Sequence, residues 1–388
     1  VRVLQLGKYY YPYMGGIENH LYLLCEQLAG KVSLDVVVCH TQPRTVVEQV
    51  GQVQVTRCLQ AAHVASTSLC PTMPWVLSGR DYGLLHLHFP HPMGVMAYLG
   101  SRKPRRHEVI VTYHSDIVRQ EKLLKLYAPF MEQVLSKAAA IVCTSPDYIE
   151  SSPFLRRYRA KCRVIPYGID LSHFAPLESV ETKAREIRAR YEGPLAIGVG
   201  RLIYYKGFEY AVEAMKAVDG HLLLVGDGPL RGELEAQARR LGVERKVHFL
   251  GEIHNQELTP YYRASDVFVL PSIARSEAFG IVQLEAMACE KPVINTALDS
   301  GVPFASRHGE SGLTVPPRNA EALAAALREL FGNPSKARAL GQGGRRRVER
   351  DFSQEVMAER MLALYEEVLG VPRTQPDAQR PDAQRKVS

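Results

Sequence analysis

The chain has no run of eighteen or more apolar residues, which excludes an ordinary bilayer-spanning helix. Its cysteines, Cys25, Cys39, Cys58, Cys70, Cys143, Cys162 and Cys289, contain no close pair. That spacing matches no zinc motif and offers no disulfide framework, so the expected setting is a reducing cytosol. The opening residues, Val1 to Gly7, read as a strand rather than a secretion signal. No strand-like run is followed by G-x-G-x-x-G, which excludes the dinucleotide fingerprint. No zinc finger or aromatic-basic RNA-recognition run is present either. The net charge of +7 is therefore assigned to phosphate-bearing substrates or an anionic membrane surface, and not to nucleic acid.

What is present is a repeated alternation of apolar runs and helical patterns. Candidate strands lie at 3–6, 33–39, 52–57, 84–88, 109–112, 140–143 and 163–165. After the first of them, Ile17, Leu21, Leu24 and Leu28 recur at helical spacing. A polar, Pro-containing stretch at 171–193 suits a linker, and a second series follows at 196–199, 222–225, 247–250, 267–270, 293–295 and 313–315. The pattern predicts an α/β protein of two Rossmann-like parallel-sheet domains, 1–170 and 194–350, facing across a cleft. Helices are expected at 320–331 and 354–369. The tail repeats Pro-Asp-Ala-Gln-Arg from Pro376 and again from Pro381, has no apolar face, and is expected to be disordered over 371–388.

The stretch with most chemistry runs from Ser276 to Ala288. A buried strand ends at Pro271, Glu277 falls in the following loop, and a helix begins near Gly280. The amides near Gly280, Ile281 and Val282 then point forward unpaired, a site for phosphate. Glu277 and Glu285 flank that cradle with seven residues between them. Carboxylates do not bind phosphate, but they do bind hydroxyls, and a sugar nucleotide carries hydroxyls on both sides of its diphosphate. Gly15 and Gly16 open the first helix and allow close backbone approach. Arg201 and Lys206 follow the first strand of the second half, where a planar fork and a mobile ammonium can reach a diphosphate. Taken singly, each feature has a plainer reading: a tight turn, two surface cations, a favourable acid in the first turn of a helix.

The glutamate pair resembles the motif of retaining glycosyltransferases of family 4, whose architecture is called GT-B. The resemblance covers residues 1 to about 370. It implies a nucleotide-sugar substrate, no metal and no other cofactor. It implies that Gly16, Arg201, Lys206, Ile281 and Val282 hold the donor phosphates, that Glu285 holds the ribose, and that His114, Glu277, Ala278, Phe279 and Gly280 meet the donor sugar. It implies a last helix, 351–370, crossing back to the N-terminal domain. The run Thr112-Tyr113-His114-Ser115-Asp116 and the run from Ile165 to Asp170 look like the bacterial mannosyltransferases that build O-antigen polysaccharides from GDP-mannose. Asp299 departs from the small or hydroxyl residues usual in its loop. A UDP-sugar transferase and a non-catalytic sugar-nucleotide-binding protein are the alternatives. The family's use of glycan or lipid-linked acceptors gives meaning to two basic features, the run 102–107 and the amphipathic stretch 117–135. In the latter Arg119, Lys122 and Lys125 share one arc beside Leu123, Leu126, Tyr127 and Phe130, a face suited to anionic lipid. His86, His88 and His91 lack a nearby acid and are expected to line the cleft rather than to bind metal.

Overall fold

The computed structural model describes residues 2–13, 15–64, 67–117 and 121–371. The N-terminal lobe contains β1 (Arg2–Leu6), β2 (Ser33–Cys39), β3 (Val46–Val50), β4 (Val53–Cys58), β5 (Ala62–Val64), β6 (Thr67–Leu69), β7 (Leu84–Phe89), β8 (Glu108–Tyr113), β9 (Ala140–Cys143) and β10 (Cys162–Val164). Eight of these form one sheet in the order β10-β9-β8-β7-β1-β2-β4-β3, and β5 pairs with β6 in a separate hairpin. All pairings in the large sheet are parallel except β3 with β4. The register is fixed at the centre, where Val3 lies opposite Leu34 on one side and Leu84 on the other. β7 and β9 are buried along their whole length because helices cover both faces.

The C-terminal lobe holds β11 (Leu195–Val199), β12 (His221–Val225), β13 (Val247–Gly251), β14 (Val267–Leu270), β15 (Val293–Thr296) and β16 (Gly312–Val315). Their order, β13-β12-β11-β14-β15-β16, is the doubly wound nucleotide-binding arrangement, with every pairing parallel. In both lobes the chain reverses its direction of travel across the sheet at the central strand. Loops diverge there and leave a crevice at the carboxyl ends. In the C-terminal lobe that point lies between β11 and β14, and in the N-terminal lobe between β1 and β7.

The helix Gln354–Leu369 packs against the N-terminal sheet. Met357, Ala358, Met361, Leu364 and Tyr365 join Val3, Leu24, Val36 and Leu84 in one core. Ser353 caps this helix by accepting from the Val356 amide, and Gly370 ends it in the left-handed conformation. The two passages between lobes run side by side. Ile169 donates its amide to the Phe352 carbonyl at 2.9 Å, and Gln354 donates to the Ile169 carbonyl at 3.0 Å. Gly168 is required there, since a Cβ would come within 2.5 Å of the Ser353 carbonyl oxygen.

Several details differ from the sequence reading. The stretch 171–193 contains a helix, Glu178–Arg188, whose Ala184 and Ile187 pack on Ala264. Val180, Ala184 and Ile187 recur at helical spacing there, but so short a stripe did not stand out among the charged residues around it. The edge strand β3 and the β5–β6 hairpin were also missed, being short and largely exposed. Residues 372–388, Met14, Arg119 and the side chains of Lys122 and Leu123 lie outside the described residues. Among those described, no helix is long and apolar enough to cross a membrane.

Candidate active site

The loops leaving β11 and β14 carry most of the residues singled out above. After β11, Gly200 adopts φ +145° and its Cα packs on the Lys206 side chain, where a Cβ would meet Nζ at 3.1 Å. Gly207 then takes a left-handed turn to start the helix Phe208–Ala214, and a Cβ there would collide with the Pro271 carbonyl. These two glycines bring Lys206 inward, against the loop after β14.

Lys206 Nζ meets Glu277 Oε2 at 2.6 Å, with both side chains only 10% exposed. Ser272 Oγ donates to the same carboxylate at 3.2 Å. Burial opposes the Lys206 charge, but the adjacent carboxylate prevails and holds its pKa above the ordinary lysine value. The cation is therefore fixed and charged in the absence of substrate.

Gly280 caps the helix Ile281–Ala288 at φ +72°, a left-handed conformation that favours glycine, and a Cβ there would come within 2.5 Å of Leu270 Cδ2. The amides of Ile281 and Val282 precede the first intrahelical bond and point out of the helix end. Across the cleft, a Cβ on Gly16 would lie 3.9 Å from the Ile281 side chain. Two helix N-termini, one from each lobe, therefore converge on one point. One turn further, Glu285 is half-buried and accepts from the Tyr262 hydroxyl at 2.8 Å. Burial raises its pKa, and the Tyr262 hydrogen bond and the charge of Lys206 work the other way. Arg201 is exposed, and its charge acts on the neighbouring Tyr205 hydroxyl. Beside it opens a cavity of about 680 Å³ lined by Gly226, Asp227, Ile253, His254 and Leu258.

The histidines are placed differently. His86, His88, His91 and His114 are each at most 1% exposed, so the first three do not line an open cleft. His86, His88 and His114 belong to a polarised hydrogen-bond network, whereas His91 Nε2 faces Cys39 Sγ at 3.5 Å. Gln5 Nε2 donates to the Tyr365 hydroxyl at 2.9 Å, which leaves the Tyr365 proton for His86 Nδ1 at 2.6 Å and gives His86 Nε2–H to Thr112 Oγ1 at 2.6 Å. Gln5 Oε1 accepts from His88 Nε2, so His88 Nδ1 accepts from His114 Nε2 at 3.0 Å, and His114 Nδ1 faces the Tyr167 hydroxyl at 2.7 Å. Both ring nitrogens of His114 are thus engaged within the protein. His20 completes the group and has no partner on either ring nitrogen among the described residues. Burial lowers the pKa of all five imidazoles, to about 4 for His20 and about 3 for His86 and His91. Nitrogens of His20, His88 and His114 lie within 4.8 Å of one another. Three imidazoles at that spacing match a zinc ligand set. However, no carboxylate among the described residues hydrogen-bonds them, and His20 sits in the positive, N-terminal half of its helix.

The structure therefore brings Gly16, Lys206, Glu277, Gly280, Ile281, Val282 and Glu285 to one place. Arg201 stands at the rim. The Ala278 carbonyl accepts from the Gly301 amide at 2.7 Å. The Phe279 ring is buried edge-on against Tyr167 and Phe352, where it joins the lobes rather than facing the cleft. Sequence reasoning missed Tyr167, which separates His114 from that loop, and the cavity beside Arg201. Gly226 and Ile253 follow β12 and β13, so the strand-end rule could have found that cavity.

The family description Glycosyltransferase Family 4 matches residues 14–173, and Glycosyl transferases group 1 matches residues 179–347. The D-rhamnosyltransferase WbpZ of Pseudomonas aeruginosa is 36% identical over 360 residues, spanning 91% of this chain and 92% of its own. The O-antigen chain mannosyltransferase C of Escherichia coli is 32% identical over 373 residues, spanning 95% and 99%. Among solved structures, a sucrose-phosphate synthase from Thermosynechococcus elongatus superposes with TM-score 0.77 at 27% identity, covering 96% of this chain and 100% of that one. HepE of Anabaena, in complex with UDP and glucose, superposes with TM-score 0.75 at 19% identity, covering 94% and 99%. The shared fold is GT-B.

Proposed function

We propose that this chain, which belongs to glycosyltransferase family 4, moves a hexose of manno configuration from a GDP-linked donor to a glycan acceptor during O-antigen or related polysaccharide synthesis. The observation that carries this reading is the Lys206–Glu277 pair set beside the free amides of Ile281 and Val282 at the β11/β14 crevice. Lys206, Arg201 and the two helix ends take the diphosphate. Glu285 takes the ribose hydroxyls, and Glu277 and its loop take the sugar. The relatives named above transfer mannose and D-rhamnose, so both GDP-mannose and its 6-deoxy counterpart are candidate donors.

The reaction is read as retaining and independent of metal. The bond from the anomeric carbon to the β-phosphate oxygen breaks. The acceptor oxygen attacks from the same face, and its proton passes to the departing phosphate. Negative charge builds on that phosphate, and donors already aimed at it stabilise the transition state more than the ground state. Closure of the two lobes keeps water from the donor. The setting is read as cytoplasmic, with a lipid-linked acceptor presented at the membrane face. Leu126 and Phe130, 74% and 41% exposed next to exposed Lys125, support that contact.

The test is thermal shift with GDP, UDP and ADP, followed by turnover with GDP-mannose, GDP-D-rhamnose and UDP-glucose in the presence and absence of EDTA. Stabilisation by GDP, release of GDP with glycan product, retention at the anomeric carbon and indifference to EDTA are expected. Failure of every nucleoside diphosphate to raise the melting temperature would overturn the reading.

A further inference from the structure

Between the lobes, Arg275 Nη2 bonds Asp116 Oδ2 at 2.9 Å. Each residue lies two positions from one of the side chains discussed above: Asp116 follows His114, and Arg275 precedes Glu277. The pair is built rather than incidental. Asp116 is held from its own lobe, with Tyr113 and Ser152 hydroxyls donating to Oδ1 at 2.8 Å each. Its amide donates to the Tyr148 hydroxyl at 2.7 Å. Arg275 is held on both sides of the cleft. Its Nε donates to the Asp299 carbonyl at 3.2 Å, its Nη2 also reaches Ser151 Oγ at 3.2 Å, and its guanidinium lies over the Tyr148 ring. Ser151 Oγ in turn donates to the Asp299 carbonyl at 2.9 Å.

An isolated exposed ion pair contributes little. Here the carboxylate is 12% exposed and locked by two hydroxyls, and the guanidinium fork makes three separate bonds. Such a contact specifies one geometry. Opening the cleft must break it as a unit, and closing the cleft restores the loop of Glu277 to one position. We infer that Asp116 and Arg275 are positioning residues that set Glu277 for transfer by fixing the closed arrangement of the lobes. This rests on the transferase reading above for its kinetic consequence, but not for its structural one.

Four measurements test it. Small-angle scattering of the ligand-free chain is expected to show a larger radius of gyration for Arg275→Gln and Asp116→Asn than for the wild type. Steady-state kinetics are expected to show kcat reduced roughly 10- to 100-fold in each variant, the scale of an ångström misplacement at a reacting centre. The Kd for GDP, measured by calorimetry, is expected to change less than kcat does, since Arg201, Lys206, Glu285 and the amides of Ile281 and Val282 all lie on the C-terminal lobe and only the Gly16 helix end would move away. The double variant is expected to be no slower than the worse single one, because the residues act as one contact. Donor hydrolysis relative to transfer is expected to rise, a change that simple loss of stability does not produce. Unchanged scattering, wild-type kcat in either single variant, or multiplicative losses in the double variant would overturn the inference. If the wild type transfers no sugar, the transferase reading fails and scattering alone decides the role of the pair.

Discussion

Lys206 and Glu277 meet at 2.6 Å in a nearly enclosed space, and each neutralises the other before any donor arrives. Removing one member leaves the other charged and buried, which costs on the order of 3–5 kcal/mol. Lys206→Met is therefore expected to lower the melting temperature and to reduce kcat/KM by roughly 10²- to 10³-fold, the scale for loss of one preorganised donor. The stabilising share of the pair carries a definite pH sign. The folded pKa of Lys206 lies above its unfolded value, so the contribution is complete below the ordinary lysine range and lost only as pH rises through the folded value. The gap in melting temperature between wild type and Lys206→Met should hold constant from neutral pH to about pH 9. Full activity in the variant would move the phosphate clamp elsewhere.

The buried imidazoles give the opposite dependence. Their folded pKa values lie below that of free histidine, so the unfolded chain takes up protons that the folded chain refuses. Stability is complete above about pH 6.5 and falls with pH towards the folded values near 4 and 3. Each such histidine contributes a loss of about 1.4 kcal/mol per pH unit inside that window. Urea midpoints at pH 7.5, 6 and 5 measure it. His20→Phe is expected to flatten the slope by about one proton; an unaltered slope would show that His20 is protonated in the fold.

Glu285 separates binding from stability. Burial raises its carboxyl pKa, so ionisation of this group costs the folded state as pH rises above the unfolded value. Glu285→Gln keeps an acceptor for the Tyr262 hydroxyl and is expected not to lower the melting temperature of the ligand-free chain. Affinity for GDP is expected to fall roughly 10- to 100-fold through loss of charge-assisted bonds to the ribose. Calorimetry with unchanged Kd would remove Glu285 from the ribose site.

Tyr365 tests the network beneath the cleft. Tyr365→Phe leaves Gln5 Nε2 and His86 Nδ1 unpaired in the core. A loss of about 1–3 kcal/mol in urea denaturation is expected. The same variant should leave GDP affinity intact.

Both parallel sheets were legible because strands covered on both faces are continuous apolar runs, as at Val267 to Leu270. The phosphate side of the site was legible for a local reason. The left-handed φ of Gly280 favours glycine, and a helix end follows it in sequence, so one short window holds the whole cradle. Tyr167, His20 and the Asp116–Arg275 pair were not legible, because their partners are distant in sequence. Asp116 and Arg275 are separated by 159 residues, and no spacing rule joins them. His114 shows a related limit. Its place after a strand was readable, but its two ring partners, His88 and Tyr167, come from other elements.

Gly168 has one consequence for how the molecule moves. The chain leaves the first lobe and re-enters it along a single seam, where Ile169 is hydrogen-bonded to both Phe352 and Gln354. A swivel about that seam keeps both bonds, whereas sliding one lobe over the other would tear them. The absence of a side chain at Gly168 lets the two backbones touch and keeps the pivot narrow. A bulkier residue would thicken the axle, so that a small change far from the diphosphate cradle would tilt one jaw of the cleft against the other.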